Sequence, residues 1–302
     1  MIDNPIYQAQ CFGNVEPIEY MVPYPNLRSL AVGQCIKFAN GILYKDFSLT
    51  NNDFLKSINQ YSNWLVKHGI NRGDKVFVTN MSSPKFDILC YAIWSIGAVL
   101  VISDEKYINN IKTNMIIDSK SKLNLNQINE QSTEYVTTSN TLLNDEAVIF
   151  YHNGKGIRLS HYNLLINAYG IFKELNILYN QSIKVDIPIN NTTYIILNTI
   201  LPLYSGTSID YKNAYITFGL NDKANYQIQF NWKKLKSTKP QNLYILPEAT
   251  AILAIGTKPN HLLSIIEDDS SFRINGHSVM MGYVNEHQNS DVFKSGSLVI
   301  SK

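Results

Sequence analysis

Cysteine is scarce in this chain: Cys11, Cys35 and Cys90 are the three thiols among 302 residues, and no two stand in a CxxC pair. That excludes a disulfide framework as the organising device and leads to the expectation of a reducing, cytoplasmic setting. Long apolar runs are missing too, since the longest, Cys90 to Ile102, is too short to cross a bilayer. No basic segment followed by an apolar core opens Met1 to Gln10, so a soluble protein without a membrane span is expected. Nor is there an excess of charge, because 26 basic and 24 acidic residues leave +2. No global field is available to recruit nucleic acid or a membrane surface, and partners must be argued from sites. What is present is 45% hydrophobic residues, enough to build one large domain or two packed subdomains.

The hydrophobic periodicity predicts a helix over Leu49 to His68. Thr50 and Asp53 have capping-box spacing, Phe54, Ile58, Tyr61 and Leu65 form one apolar stripe, and Gly69 ends it. Lys75 to Thr79 then reads as a strand, Pro84 to Ile96 as a helix, and Ala98 to Ile102 as a fully apolar strand, an alternation that implies a parallel sheet. Asn109 to Asn144 is polar connection, with room for one short strand between Asn114 and Lys120. Ala147 to Tyr151 is another strand, followed by a glycine turn and a helix starting near Ser160. Strand, glycine turn and helix together present backbone amides to an anion. Thr193 to Tyr204 reads as a helix broken by Pro202, and Gly206 as a turn into a strand at Ser208 to Tyr211. Beyond that the alternation is β-like in Tyr226 to Trp232, Leu262 to Ile266 and Phe272 to Ile274. No internal repeat is present.

Several segments carry a family resemblance. Lys67-His68-Gly69-Ile70-Asn71-Arg72-Gly73-Asp74-Lys75-Val76, the Pro84 helix and Gly97-Ala98-Val99 follow one another as in the opening of acyl-CoA synthetases and adenylation domains. Asp145 to Tyr151, Gly154-Lys155-Gly156 and Leu159-Ser160-His161-Tyr162-Asn163-Leu164 resemble that family's phosphate-loop signature and its trailing helix. Asn242 to Thr250 is similar to its Tyr-Gly-x-Thr-Glu motif, and Met280-Met281-Gly282-Tyr283 with Phe293 to Gly296 to its closing segment. The resemblance implies an α/β fold of parallel-rich sheets covered by helices, with residues 1–210 forming the α/β part and 211–302 a smaller β-rich remainder. It also implies ATP or AMP with Mg²⁺ as ligands, and CoA and a small carboxylic acid or acyl group as further ones.

The signature is eroded. The family's phosphate loop reads Thr-Ser-Gly-Thr-Thr-Gly-x-Pro-Lys-Gly, but here Tyr151 is followed by His152-Asn153-Gly154 and directly by Lys155-Gly156. A charge-assisted hydrogen bond contributes about 1.5 to 3 kcal/mol, so losing three weakens triphosphate binding by on the order of 4 to 9 kcal/mol. The acyl-pocket element falls at Pro188-Ile189-Asn190-Asn191, with Asn191 where the family has His. In the third motif Ile245 replaces Gly and Pro247 replaces Thr, while Tyr244 and Glu248 remain, and Glu248 keeps the hard oxygen chemistry of a Mg²⁺ ligand. Lys302 falls at the family's ribose-binding Asp, and the hinge and small C-terminal domain are expected to be absent.

The degenerate nucleotide site is therefore expected at Tyr151, Gly154, Lys155, Gly156, Tyr244 and Glu248, with Lys155 and Glu248 paired within about 4 Å. Blander readings stand beside it. His152 fits a polar turn, His161 an exposed first helical turn, the lysines between Trp232 and Lys239 a solvated face, and Cys11 and Cys35 inert thiols. Gly154-Lys155-Gly156 lacks the Walker pattern. Two functions compete on one fold: a catalytically impaired binding or partner module, and an ATP-dependent acid-CoA ligase completed by a separate C-terminal domain. A third is a protein-interaction module that uses the pocket surface.

Overall fold

The computed structural model describes residues 4–20, 22–103, 112–119, 125–136, 140–230 and 239–302. The basic segment after Trp232 lies outside them except for Lys239. Among the described residues the strands form sheets of five, nine and four members.

The five-stranded sheet runs Met115–Asp118, Lys75–Thr79, Val99–Ser103, Glu146–His152, Lys155–Ser160. Its first four strands are parallel and the last is antiparallel. Val99–Ser103 is buried at every position, as expected of a strand covered on both faces. The nine-stranded sheet is ordered Lys258–Pro259, Ile252–Ile255, Asn242–Ile245, Tyr226–Gln229, Ile216–Gly219, Ser182–Asp186, Ser208–Ile209, Ile42–Tyr44, Leu49–Thr50. It takes strands from both sides of residue 210. The antiparallel four-stranded sheet lies within residues 263–301, against the N-terminal helix Pro5–Gln10.

The helix Asn51–Lys67 starts where its cap requires: Thr50 Oγ1 accepts from the Asp53 amide at 3.1 Å and donates to Asp53 Oδ2 at 2.6 Å. Phe54, Ile58 and Leu65 are buried, Tyr61 is half-buried, and Gly69 takes φ +81° just beyond the end. The helix Lys85–Ser95 is buried from Phe86 to Ser95 and packs between two neighbouring helices and the sheet. On it Asp87 is fully buried and accepts from Ser83 Oγ at 2.6 Å, Thr199 Oγ1 at 2.5 Å and Asn198 Nδ2 at 3.3 Å. Burial pushes its carboxyl up and these donors oppose the shift.

Two expectations need correction. The helix at 192–205 is not broken at Pro202; it passes through a π-helical stretch, Ile195–Ile200, and resumes as Leu201–Ser205 with Pro202 near the start of that last segment, where its missing N–H costs little. His161 is not exposed. It is fully buried at the start of the helix His161–Leu175, where Nδ1 accepts from the Leu27 amide at 3.4 Å, and burial lowers its pKa to about 4.

Candidate functional site

Four neighbouring parallel strands of the nine-stranded sheet deliver their carboxyl ends to one cavity of about 530 Å³. Pro188 and Asn190 to Thr193 follow Ser182–Asp186, Leu220 follows Ile216–Gly219, Phe230 follows Tyr226–Gln229, and Ile245 to Glu248 end the strand Asn242–Ile245. The facing wall is Phe150, His152 and Asn153, from the tip of the five-stranded sheet. A crevice outside the carboxyl ends of parallel strands is where open α/β sheets take ligands, and this volume lies in the usual range. Asn190 ties the two walls together, its Nδ2 donating to the Ser103 carbonyl at 2.6 Å.

The facing wall is a hairpin. Asn153 and Gly154 both have positive φ, +51° and +72°, and His152 pairs with Lys155 and Tyr151 with Gly156 across the strands. This is the two-residue turn that an Asn-Gly pair favours, because both central residues must adopt φ > 0. The expected strand, glycine turn and helix is thereby corrected: a second strand, Lys155–Ser160, intervenes, and Ser160 caps the helix only at its far end through a reciprocal box with Asn163. Gly156 is buried, and a Cβ there would lie 2.8 Å from Val284 Cγ2 and 3.0 Å from the Tyr151 ring. His152 stacks on Phe150 with centroids 5.6 Å apart, and its Nε2 accepts from Asn153 Nδ2 at 2.9 Å.

Glu248 sits on a short 3₁₀ turn, Pro247–Ala249, followed by Thr250 at φ +72°, ψ −63°. With the Ala251 amide donating to the Ala249 carbonyl at 2.9 Å, this is a γ-turn in a region that costs on the order of 1 to 3 kcal/mol for a β-branched residue. Buried polar contacts hold it in place. Thr250 Oγ1 donates to the Ser278 carbonyl at 2.6 Å, the Met280 amide to the Glu248 carbonyl at 2.9 Å, and Asn167 Nδ2 to the Ile252 carbonyl at 2.9 Å while its Oδ1 accepts from the Ile252 amide.

The segment 281–284 runs antiparallel to the hairpin's second strand, with Met281 and Val284 donating to the carbonyls of Arg158 and Gly156 at 2.8 Å. This brings Tyr283 between two residues expected to meet. Lys155 Nζ lies 5.0 Å from the centre of the Tyr283 ring, and the Tyr283 hydroxyl donates to Glu248 Oε1 at 2.9 Å. The expected direct pair of Lys155 with Glu248 is therefore corrected: among the described residues no ion pair joins them, because an aromatic ring fills the gap a phosphate would need. Burial first, and then the Glu248 carboxylate, push the Tyr283 phenol well above its ordinary pKa, so it remains a donor.

Of the residues singled out in sequence, Asn191 and Glu248 line the cavity, as does His152, which the sequence assigned to a polar turn. Asn191 caps the helical run, its Oδ1 accepting from the Tyr194 amide at 3.0 Å and its Nδ2 donating to the Pro188 carbonyl at 2.8 Å. Tyr151, Gly154, Lys155 and Gly156 belong to the hairpin beside it. Tyr244 is buried within its strand, with its hydroxyl accepting from Asn242 Nδ2 at 3.2 Å. Sequence reasoning passed over the apolar lining of Phe150, Leu220 and Phe230, whose only signal is that each ends or follows a β-like run. The described residues contain no cluster of three or more His, Cys, Asp or Glu able to hold a metal, and no helix long and apolar enough to cross a membrane.

Residues 34–151 match the family model described as AMP-binding enzyme. No curated protein matches the chain significantly. Among solved structures, the N-terminal domain of FACL13 from Mycobacterium tuberculosis superposes with a TM-score of 0.73 at 11% identity, over 92% of this chain and 99% of that one. Apo MatB from Rhodopseudomonas palustris gives 0.74 at 14% identity, over 91% of this chain and 75% of its own. Unliganded O-succinylbenzoate coenzyme A synthetase (MenE) from Bacillus subtilis gives 0.72 at 13%, over 91% and 75%. The chain therefore has the fold of the N-terminal domain of acyl-CoA synthetases and related adenylate-forming enzymes, and over residues 34–151 it matches the model described as AMP-binding enzyme.

Proposed function

We propose that this chain is a ligand-binding module built on the adenylate-forming fold, which retains the substrate cleft and does not make acyl-adenylates. The observation that carries the reading is the hairpin at Asn153-Gly154, where two residues stand in place of a loop of phosphate-binding amides. Adenylation needs ATP-Mg²⁺ held with its α-phosphate open to a carboxylate. The residues present do not fit that group. Lys155 is spread over the Tyr283 ring, Glu248 Oε1 already accepts from the Tyr283 hydroxyl, and the turn offers no nest. No step is derived through it. The cavity fits a ligand with a largely apolar body, since Phe150, Leu220, Phe230, Ile245 and Leu246 wall it. Burial pushes Cys35 up to about 12 and Cys90 well above the ordinary range, so both thiols are inert, and the scarcity of cysteine suits a cytoplasmic protein.

Calorimetry with ATP and Mg²⁺, run beside a pyrophosphate-exchange assay over pooled carboxylic acids, tests the proposal. The expected outcome is ATP binding no tighter than about millimolar and no exchange, as the loss of several charge-assisted hydrogen bonds requires. Micromolar ATP affinity, or exchange dependent on any acid, overturns it.

A further inference from the structure

The charge among the described lining residues of the cleft is negative, where a carboxylate or phosphate would need a cation. Of its described lining residues, Glu248 is the sole carboxylate and none is Lys or Arg. Several side-chain amides of the lining each give one donor to the protein itself. Asn191 Nδ2 donates to the Pro188 carbonyl, Asn190 Nδ2 to the Ser103 carbonyl, and Asn153 Nδ2 to His152 Nε2. The Tyr194 amide, in the first turn of the helical run, is taken by Asn191 Oδ1. Two oxygens of the lining are left to accept. Glu248 Oε1 receives the Tyr283 hydroxyl, while among the described residues none donates to Oε2 or to Asn190 Oδ1. The hydroxyls of Thr192 and Thr193 can turn either way.

The nearest cation of the motif does not reverse this sign. Lys155 does not line the cavity, and the Tyr283 ring separates its ammonium from the carboxylate. A carboxylate ligand entering here would be desolvated beside Glu248 with no cationic side chain among the described lining residues, whereas a cation would find an ion pair and a hydrogen-bond acceptor within apolar walls.

We propose that the cleft binds an organic amine, an ammonium carried on an aromatic or aliphatic body, with Glu248 as its counter-ion. The proposal rests on the reading of the chain as a binding module and specifies the ligand class. Flat or branched apolar bodies suit the walls formed by Phe150 and Phe230, and the volume of about 530 Å³ admits a small drug-sized molecule.

The test is calorimetry on the full chain with three probes sharing one body, 4-phenylbutylamine, 4-phenylbutanol and 4-phenylbutyrate, each with and without Mg²⁺. The amine is expected to bind about ten-fold or more tighter than the acid, with the alcohol between them. Added salt should weaken the amine selectively. In Glu248→Gln, which keeps an acceptor for the Tyr283 hydroxyl, the order of the three should collapse. Equal or tighter binding of the acid, with or without Mg²⁺, overturns the choice of an amine while leaving a ligand cleft in place. An amine preference that persists in Glu248→Gln overturns the counter-ion. Failure of all three probes to bind at millimolar concentration overturns the binding-module reading itself.

Discussion

The Tyr283 hydroxyl donates to Glu248 Oε1 at 2.9 Å, and the face of the same ring carries the Lys155 ammonium 5.0 Å from its centre. One buried tyrosine thus occupies the gap between the two charged residues of the eroded motif and joins three segments far apart in sequence. Tyr283→Phe removes the only protein donor to that carboxylate among the described residues while preserving the ring. A hydrogen bond to a charged group contributes about 1.5 to 3 kcal/mol, and the variant should lose that much in urea unfolding. Lys155→Met should cost about 1 kcal/mol or less, the lower part of the range for a cation over a ring face. A Tyr283→Phe loss below about 0.5 kcal/mol would mean that the contact carries no weight.

Leu65 lies on the buried stripe of the helix Asn51–Lys67 with 0% exposure. Leu65→Ala removes its transfer energy and leaves a void between helices, for an expected cost of about 2 to 5 kcal/mol. Denaturant unfolding measures it, and a change within a few tenths would contradict the packing.

His161 makes stability depend on pH. Its folded pKa, about 4, lies below the ordinary value of 6.5 because burial disfavours the imidazolium. As pH falls below 6.5 the unfolded chain takes up a proton that the folded chain refuses, so stability declines from there to about pH 4. The difference between 6.5 and about 4 corresponds to about 3 kcal/mol. His261 and His277 are shifted the same way, chiefly by burial, so His161→Phe should reduce the slope between pH 6.5 and 4 without abolishing it. Denaturant midpoints across that range provide the check, and an unchanged slope would place the proton uptake elsewhere.

Much of the fold is legible locally. Thr50 with Asp53 marks a helix start that backbone amides demand, and the apolar run at Val99–Ser103 signals a strand covered on both faces, whatever surrounds it. The Asn153-Gly154 pair is itself a strong hairpin signal, since it supplies two residues tolerant of φ > 0. Reading it as the remnant of a phosphate loop left Lys155 to Leu159 as turn where a second strand stands, although the helix start near Ser160 holds. His161 looked like a first-turn polar residue, and nothing in its neighbours in sequence says that the helix Leu27–Lys37 closes over it.

The site is a different matter. Capping residues and periodicity by themselves determined the alternating α/β order, and short motifs carried the resemblance to acyl-CoA synthetases and the shortened match to their phosphate loop, because each is written in residues close together in the chain. Only the tertiary structure decided that Tyr283 separates Lys155 from Glu248, that Asn190 and Asn191 each give a donor to the backbone, and that Phe150 and Phe230 face one cavity. Those relations depend on which strands of two sheets lie side by side and where their carboxyl ends meet. That arrangement is set by the packing of residues scattered along the whole chain, and no local pattern encodes it.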